Sequence, residues 1–482
     1  MRQYMKNVLS KYARIIVWGT GNFYMLYKDL LDERVVYFVD NNTAKWGTSL
    51  DKKHIFSPEK LKEEDTNETL VIACSHYFEE ISVQIKQYGD FDIIDIVTMW
   101  LVQQKEREAA YVEPSESAHS IVVCGGIHAM WQTNGSRKFI DGQLEQFRQA
   151  GFYTIEIVPL LYYEAGRRES SVLAVSANGA YQGLFSVGEL AEKHPKVRGM
   201  VIHSLYYSHG TMKSLLDSII VETRILYYVH DYSCLCFQRF LYKDKKPCIG
   251  IDGNMDCDTC AEDKKRRKLL RFHQSVFEKY KVLLIAPSED TRERVERYYK
   301  NVVSLPHLEF DQESFNKQVN CRIKIAYIGT AIWHKGWETF TRLVDRFHQK
   351  YEFYCLGDCP DDLKIQNVTY IPVELKDSGN VLTMTEALLQ NSIDIAYIGS
   401  ILPETYSYTY YEAYEAGCFI LTNTKSGNVC SQVIANQNGV SFSSDSEMMA
   451  WLDKDTVQKD ILSMNKRIIN VRNSKEFLKY FE

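Results

Sequence analysis

Residues Pro403 to Thr422 read PETYSYTYYEAYEAGCFILT, and Glu404 and Glu412 stand there with seven residues between them. A helical stretch follows the first carboxylate, and Gly417 fits the left-handed position that ends a helix. Cys418 to Thr422 is an apolar run of strand character. Thr405, Ser407 and Thr409 lie where a hydroxyl could cap the helix's first turn. The preceding apolar run, Asp394 to Tyr397, reads as a strand. Glu404 is therefore expected in a loop at the carboxyl end of a strand, which is where open α/β sheets bind ligands. Glu412 falls about a turn into the helix, near the same cleft.

Outward from this stretch the alternation continues. RIKIAYIG opens at Arg322 and leads into TAIWHKG, Thr330 to Gly336; Tyr354 to Leu356 is a further strand. Ser426-Gly427-Asn428-Val429 and Asn438-Gly439 follow the quoted segment. Residues 311–482 thus form one α/β unit. A second, 119–310, opens with SIVVCGG at Ser120 and continues through Ile127 to Ala150, Tyr153 to Pro159, Val197 to His203, Ile225 to Asp231 and Val282 to Pro287. A third, 1–105, holds strands at Ala13 to Trp18, Val35 to Asp40, Leu70 to Cys74 and Ile93 to Val97. Residues 106–118 read as a polar linker. Continuous β-branched runs between amphipathic helices predict parallel sheets covered on both faces. The expected fold class is α/β: two Rossmann-like lobes preceded by a small separate Rossmann-like domain.

Length agrees, since 482 residues exceed one domain of ~150. With 45% hydrophobic and 25% charged residues the chain can bury real cores. The net charge of -6 gives no bulk attraction to nucleic acid. The basic run Lys264 to Lys268, KKRRK, reads as a solvated helix face, with contact to a phosphate-bearing or membrane-linked acceptor as the alternative. No signal-peptide core opens the chain and no run reaches the ~18 apolar residues of a spanning helix. The expectation is a cytoplasmic protein, in which thiols stay reduced.

The pair Glu404 and Glu412, with HKG at His334 to Gly336 and the Gly427 loop, resembles the Glu-x7-Glu signature of retaining glycosyltransferases with the two-lobed GT-B fold, the family-four group that includes bacterial polysaccharide enzymes. The resemblance spans residues 119–482. It implies a nucleotide-sugar donor as substrate. Glu412 would bond the ribose hydroxyls, Glu404 would lie beside the transferred sugar, and Lys335 would hold the diphosphate where charge grows as the bond breaks. Gly427 and Asn428 would present amides to that diphosphate at a helix start. The implied partners are a glycan or lipid-linked acceptor, with peripheral membrane contact at the inner surface. No catalytic metal is expected, because lysine and amides take its part. Thr330 stands where many relatives have arginine, Ser431-Gln432 where an acid is usual, and Tyr406 and Tyr408 where glycines are frequent. These departures motivate an alternative: a catalytically weak or inactive nucleotide-sugar-binding module with a regulatory or scaffolding role.

In the first lobe, Gly125 and Gly126 end a strand and let backbone amides approach a ligand; the resemblance puts this loop beside the donor phosphate and acceptor. YYVHD, Tyr227 to Asp231, resembles the family's histidine position beside the donor sugar, where His230 would bond a sugar hydroxyl or hold the reacting geometry. A structural histidine bonding a backbone group is the alternative, and Asp231 is a further candidate contact. Cys236, Cys248, Cys257 and Cys260 have spacing that suits a tetrahedral all-cysteine zinc site. An iron–sulfur cluster and unmetallated thiols are the alternatives, and Cys234 could replace Cys236.

Gly19-Thr20-Gly21-Asn22 is a partial dinucleotide fingerprint that lacks its third glycine, with Asp40 spaced to accept ribose hydroxyls. The amino-terminal domain resembles small Rossmann-like domains attached to sugar-modifying enzymes. Some of those domains bind nucleotide-sugars, and a nucleotide ligand here stands as the alternative to a degenerate domain serving docking or assembly. A nicotinamide enzyme lacks a catalytic set here.

Overall fold

The computed structural model describes residues 9–75, 77–108, 119–132, 134–166, 170, 172–204, 208–243, 246–248, 263–373 and 381–482. The chain forms two units, one of Met1–Gln132, Leu144–Leu226 and Phe481, the other of Thr133–Gln143, Tyr227–Tyr480 and Glu482.

The first unit holds the amino-terminal sheet, ordered Ser49–Leu50, Lys53–Phe56, Val35–Val39, Arg14–Trp18, Thr69–Ala73, Asp92–Asp95, Tyr162–Tyr163. Its five central strands are parallel. The strand Thr69–Ala73 is buried throughout, which explains its unbroken apolar run. The last edge strand comes from far along the chain. Ile93 pairs with Tyr163 and Ile94 with Tyr162, antiparallel. The amino-terminal sheet is therefore completed by residues assigned on sequence to the next lobe.

The strand expected over Ile93 to Val97 ends at Asp95. Its buried carboxylate accepts from the Thr98 amide at 2.9 Å, and a side-chain acceptor there starts a helix. Burial raises this carboxyl to about 7. The helix runs Ile96–Glu108, into the stretch read as linker. The rest of the first unit is built on Ala180–Phe185, Leu173–Ala177, Tyr153–Pro159, Ser120–Gly125 and Gly199–His203, neighbours in that order.

The second unit holds a six-stranded parallel sheet: β1 (Lys324–Ile328), β2 (Glu352–Leu356), β3 (Val368–Ile371), β4 (Ile395–Ile398), β5 (Phe419–Asn423) and β6 (Gly439–Phe442). The spatial order is β3-β2-β1-β4-β5-β6, the doubly wound arrangement with its reversal between β1 and β4. The helix Trp337–Phe347 buries Trp337, Phe340, Leu343, Val344 and Phe347, the 3.6-period stripe that faces a core. Phe340 is 0% exposed; a side chain of that size contributes roughly 2–3 kcal/mol on burial. Leu308–Ser314 and Lys466–Asn473 form a separate antiparallel pair.

Within the KKRRK run, Arg266 is buried and lies over the Tyr298 ring, whereas its four basic neighbours are exposed. The face is solvated except at that one residue. Among the described residues, no helix is long and apolar enough to cross a membrane.

Candidate functional site

The order reversal puts the loops after β1 and β4 side by side, which makes them the natural ligand crevice. The β1 loop ends in the turn Trp333–Lys335, closed by Gly336 at φ 87. A Cβ on Gly336 would lie 2.4 Å from the Gly399 carbonyl, so only glycine lets the two loops meet this closely. The Ile401 amide donates to the His334 carbonyl at 3.0 Å. These contacts deliver Lys335 to Glu404, and their side chains form an ion pair. His334 beside them is held neutral, its pKa lowered to about 4 by desolvation and then by Lys335.

Glu404 is also held by its backbone. Its amide donates to the Ser426 carbonyl at 3.3 Å and its carbonyl accepts from the Asn428 amide at 3.0 Å. Gly427 lies between them at φ 60 and ψ -122, where a Cβ would sit 2.8 Å from the Glu404 nitrogen. The Asn428–Asn436 helix starts there. The Asn428 side chain is fully buried, and neither of its polar atoms has a well-formed hydrogen bond among the described residues, although the Tyr411 hydroxyl lies close enough to feel it.

Glu412 sits on the Tyr408–Glu415 helix, with Lys138 Nζ 3.0 Å from its Oε1. The same ammonium lies over the Tyr408 ring, 5.2 Å from the centroid. None of the three candidate hydroxyls accepts from a backbone amide of the helix's first turn. Ser407 bonds Thr409 instead, at 2.9 Å, and Thr405 Oγ1 donates to the His230 carbonyl at 2.8 Å. Gly417 closes the helix in the left-handed region, at φ 71.

That Thr405 bond ties His230 to the Glu404 loop, and Ser288 Oγ donates to the Thr405 carbonyl at 2.8 Å. Desolvation lowers the His230 pKa to about 4, against an opposing pull from Asp231; the ring is therefore neutral near pH 7. Asp231 caps its own turn by accepting from the Ser233 amide. Around His230 stand Tyr228, Phe139 and His307. His307 is 2% exposed and stacks on Phe139 at 3.9 Å. Burial, then His230, lowers its pKa well below the usual value.

The structure thus brings Lys335, Glu404, Gly427 and Asn428 together, ties His230 to them through Thr405, and keeps Glu412 on the helix that follows. The sequence reading missed Lys138, Phe139 and His307. Lys138 and Phe139 lie in an ordinary amphipathic helix and His307 in a strand-flanking loop, so none carried a local signal. Tyr406 and Tyr408, the departures from small residues, serve packing: Tyr406 accepts from the Leu308 amide and stacks on Tyr411.

Gly125 and Gly126 belong to the first unit. A Cβ on Gly125 would lie 2.7 Å from the His203 carbonyl, so strand packing accounts for this glycine. Gly126 has an ordinary φ of -63. Of the cysteines, Cys236 and Cys248 are half-buried, and Cys257 and Cys260 lie outside the described residues. Cys236 Sγ accepts from the Gln238 amide at 3.4 Å. Cys234 is buried, which raises its thiol pKa. Among the described residues, no three His, Cys, Asp or Glu side chains gather as a metal site.

In the amino-terminal sheet, a cavity of about 610 Å³ opens beside Gly19, Thr20, Gly21, Asp40, Ser75 and Tyr77. Asp40 is already engaged. One carboxylate oxygen accepts from the Thr20 amide, the Thr20 hydroxyl and Lys45 Nζ, the other from the Asn42 amide. A Cβ on Gly19 would lie 2.7 Å from the Cys74 carbonyl. Both fingerprint residues are thus used by the fold itself.

The family description "C2185-like, N-terminal" matches residues 11–93. No curated protein matches the chain. Among solved structures, the chain is similar to a sucrose-phosphate synthase of Thermosynechococcus elongatus, at 12% identity and TM-score 0.47, covering 72% of this chain and 91% of that one. It is similar to a glycosyltransferase of Rickettsia africae, at 12% identity and TM-score 0.43, covering 72% and 93%. It is also similar to the S. aureus protein TarM, at 9% identity and TM-score 0.37, covering 94% and 95%.

Proposed function

We propose that this chain is a retaining GT-B glycosyltransferase that moves a sugar from a nucleotide-sugar donor to a glycan or polysaccharide acceptor. The observation that carries this reading is the Lys335–Glu404 pair at the reversal between β1 and β4, backed by the Gly427 loop. Lys335 is a cation at the carboxyl edge of a doubly wound sheet, where ligands gather. The Asn428–Asn436 helix starts in the same place and brings its positive end to it, although the Asn428 amide itself is taken by the Glu404 carbonyl. These groups suit a diphosphate. Carboxylates at Glu404 and Glu412 accept hydroxyls, as a sugar and a ribose require.

In the reaction, the bond between the sugar's anomeric carbon and the diphosphate oxygen breaks. The acceptor hydroxyl forms the new bond on the same face, and its proton passes to the departing diphosphate. Lys335 and the Gly427 loop stabilise the charge that grows on the leaving group. Neutral His230 and Glu404 hold the sugar. No side chain is assigned as a nucleophile.

A thermal-shift screen of uridine, guanosine and thymidine diphosphate sugars tests the reading. One donor should raise the melting temperature and be turned over, and Glu412→Ala should remove that shift. Binding without turnover across donors and acceptors would make the chain a binding module, and no binding to any donor would end both readings.

A further inference from the structure

The two site carboxylates are each matched by an ammonium group. Lys335 pairs with Glu404 and Lys138 with Glu412, so the four charges cancel. Lys138 reaches Glu412 across 274 residues of sequence. It comes from Thr133–Gln143, the short segment that joins the second unit although the chain on either side belongs to the first.

The placement of Lys138 is specific. Asn134 accepts from the Arg137 amide at 2.9 Å, which fixes the start of the helix. Arg137 pairs with Asp141 one turn on, at 2.5 Å, so Lys138 is the cation of this turn that meets Glu412. Gly135 packs against Tyr408, whose ring carbon would lie 3.1 Å from a Cβ there, which sets the helix register against the Glu412 helix. Tyr408 offers its ring face to the same ammonium, and burial raises its own pKa, so it stays neutral.

The pair is also easily exchanged. The Lys138 and Glu412 side chains are 33% and 17% exposed, and water weakens a partly solvated pair of this kind. A ribose hydroxyl can replace the ammonium as donor to Glu412. The ammonium, whose other neighbour among the described residues is the Tyr408 ring face, then needs a new anion, and a dianionic diphosphate supplies one. We propose that Lys138 is a donor-binding residue that pairs with Glu412 and passes to the donor's phosphates when Glu412 takes the nucleoside hydroxyls. This rests on the donor-site reading given above.

The test uses the full chain and calorimetric titration with UDP, GDP and dTDP, and then with the matching nucleoside of whichever diphosphate binds. Lys138→Met should weaken the diphosphate about tenfold or more, a charge-assisted contact, while the nucleoside binds as well as before or better, because Glu412 is released. Lys138→Arg should restore most of the loss, and raising the salt should narrow the gap between wild type and Lys138→Met. If diphosphate and nucleoside weaken in parallel, Lys138 merely positions Glu412 and the inference falls. Unchanged diphosphate affinity in Lys138→Met also overturns it and leaves the donor-site reading intact. If the wild type binds none of the three diphosphates, the donor-site reading itself fails.

Discussion

At the scale of single residues, the second unit keeps three imidazoles neutral: His230, His334 and His307. Their folded pKa values lie below the unfolded value of about 6.5, so the unfolded chain binds more protons between those values. Stability from this source is fully present above pH 6.5 and is lost as pH falls toward 4. A buried histidine such as His307 contributes at most about 1.4 kcal/mol per pH unit. Urea midpoints should therefore drop between pH 7 and 5. In His307→Phe, which keeps a ring against Phe139, the drop should be shallower. An equal slope in both proteins would show that His307 is not a source of the pH dependence.

The Glu404 and Glu412 spacing, Lys335 and the Gly427 loop were all legible at this scale, because a motif preserves local order. Lys138 was not. Its pairing depends on a helix 274 residues away in sequence, and nothing adjacent to it announces that.

At the scale of elements, the connection from β5 to the Asn428–Asn436 helix depends on a backbone conformation only glycine adopts cheaply. In Gly427→Ala the new Cβ would meet the backbone of Pro403 and Glu404 at 2.8 Å. The strain alone costs roughly 1–3 kcal/mol, and relief would push Glu404 out of place. The variant should lose both stability in urea and the nucleotide-induced thermal shift. If it kept the full shift, the Gly427 loop would not be part of the donor site. The boundaries of elements were read less well than their existence. The strand expected through Val97 stops at Asp95 because a buried carboxylate turns the chain into a helix there, a capping event that apolar periodicity does not register.

At the scale of the molecule, the amino-terminal sheet is not closed by its own sequence. Tyr162 and Tyr163 cover the edge of Asp92–Asp95. Tyr163 is 1% exposed, packs on Phe78 and donates to Glu79 at 2.5 Å. A fragment ending at Glu108 would expose that edge and the Phe78 ring, and bare edges invite self-association. Light scattering should show it aggregating. Tyr163→Ala in the full chain should cost about 3–5 kcal/mol, read from urea unfolding. A monomeric fragment as stable as the intact protein would contradict this.

The sequence by itself determined the parallel α/β character, the strands at the sheet centres, and the placement of Glu404 in a loop with Glu412 on the helix after it. Those properties follow from hydrophobic periodicity and from glycine placement, both local. Only the tertiary structure decided that Asp40 is consumed by Thr20, Asn42 and Lys45, that Tyr162–Tyr163 completes a distant sheet, and that Lys138 neutralises Glu412. The reason is physical: each depends on which side chains meet across long loops, and such a meeting is fixed by packing of the whole chain rather than by any neighbouring residue.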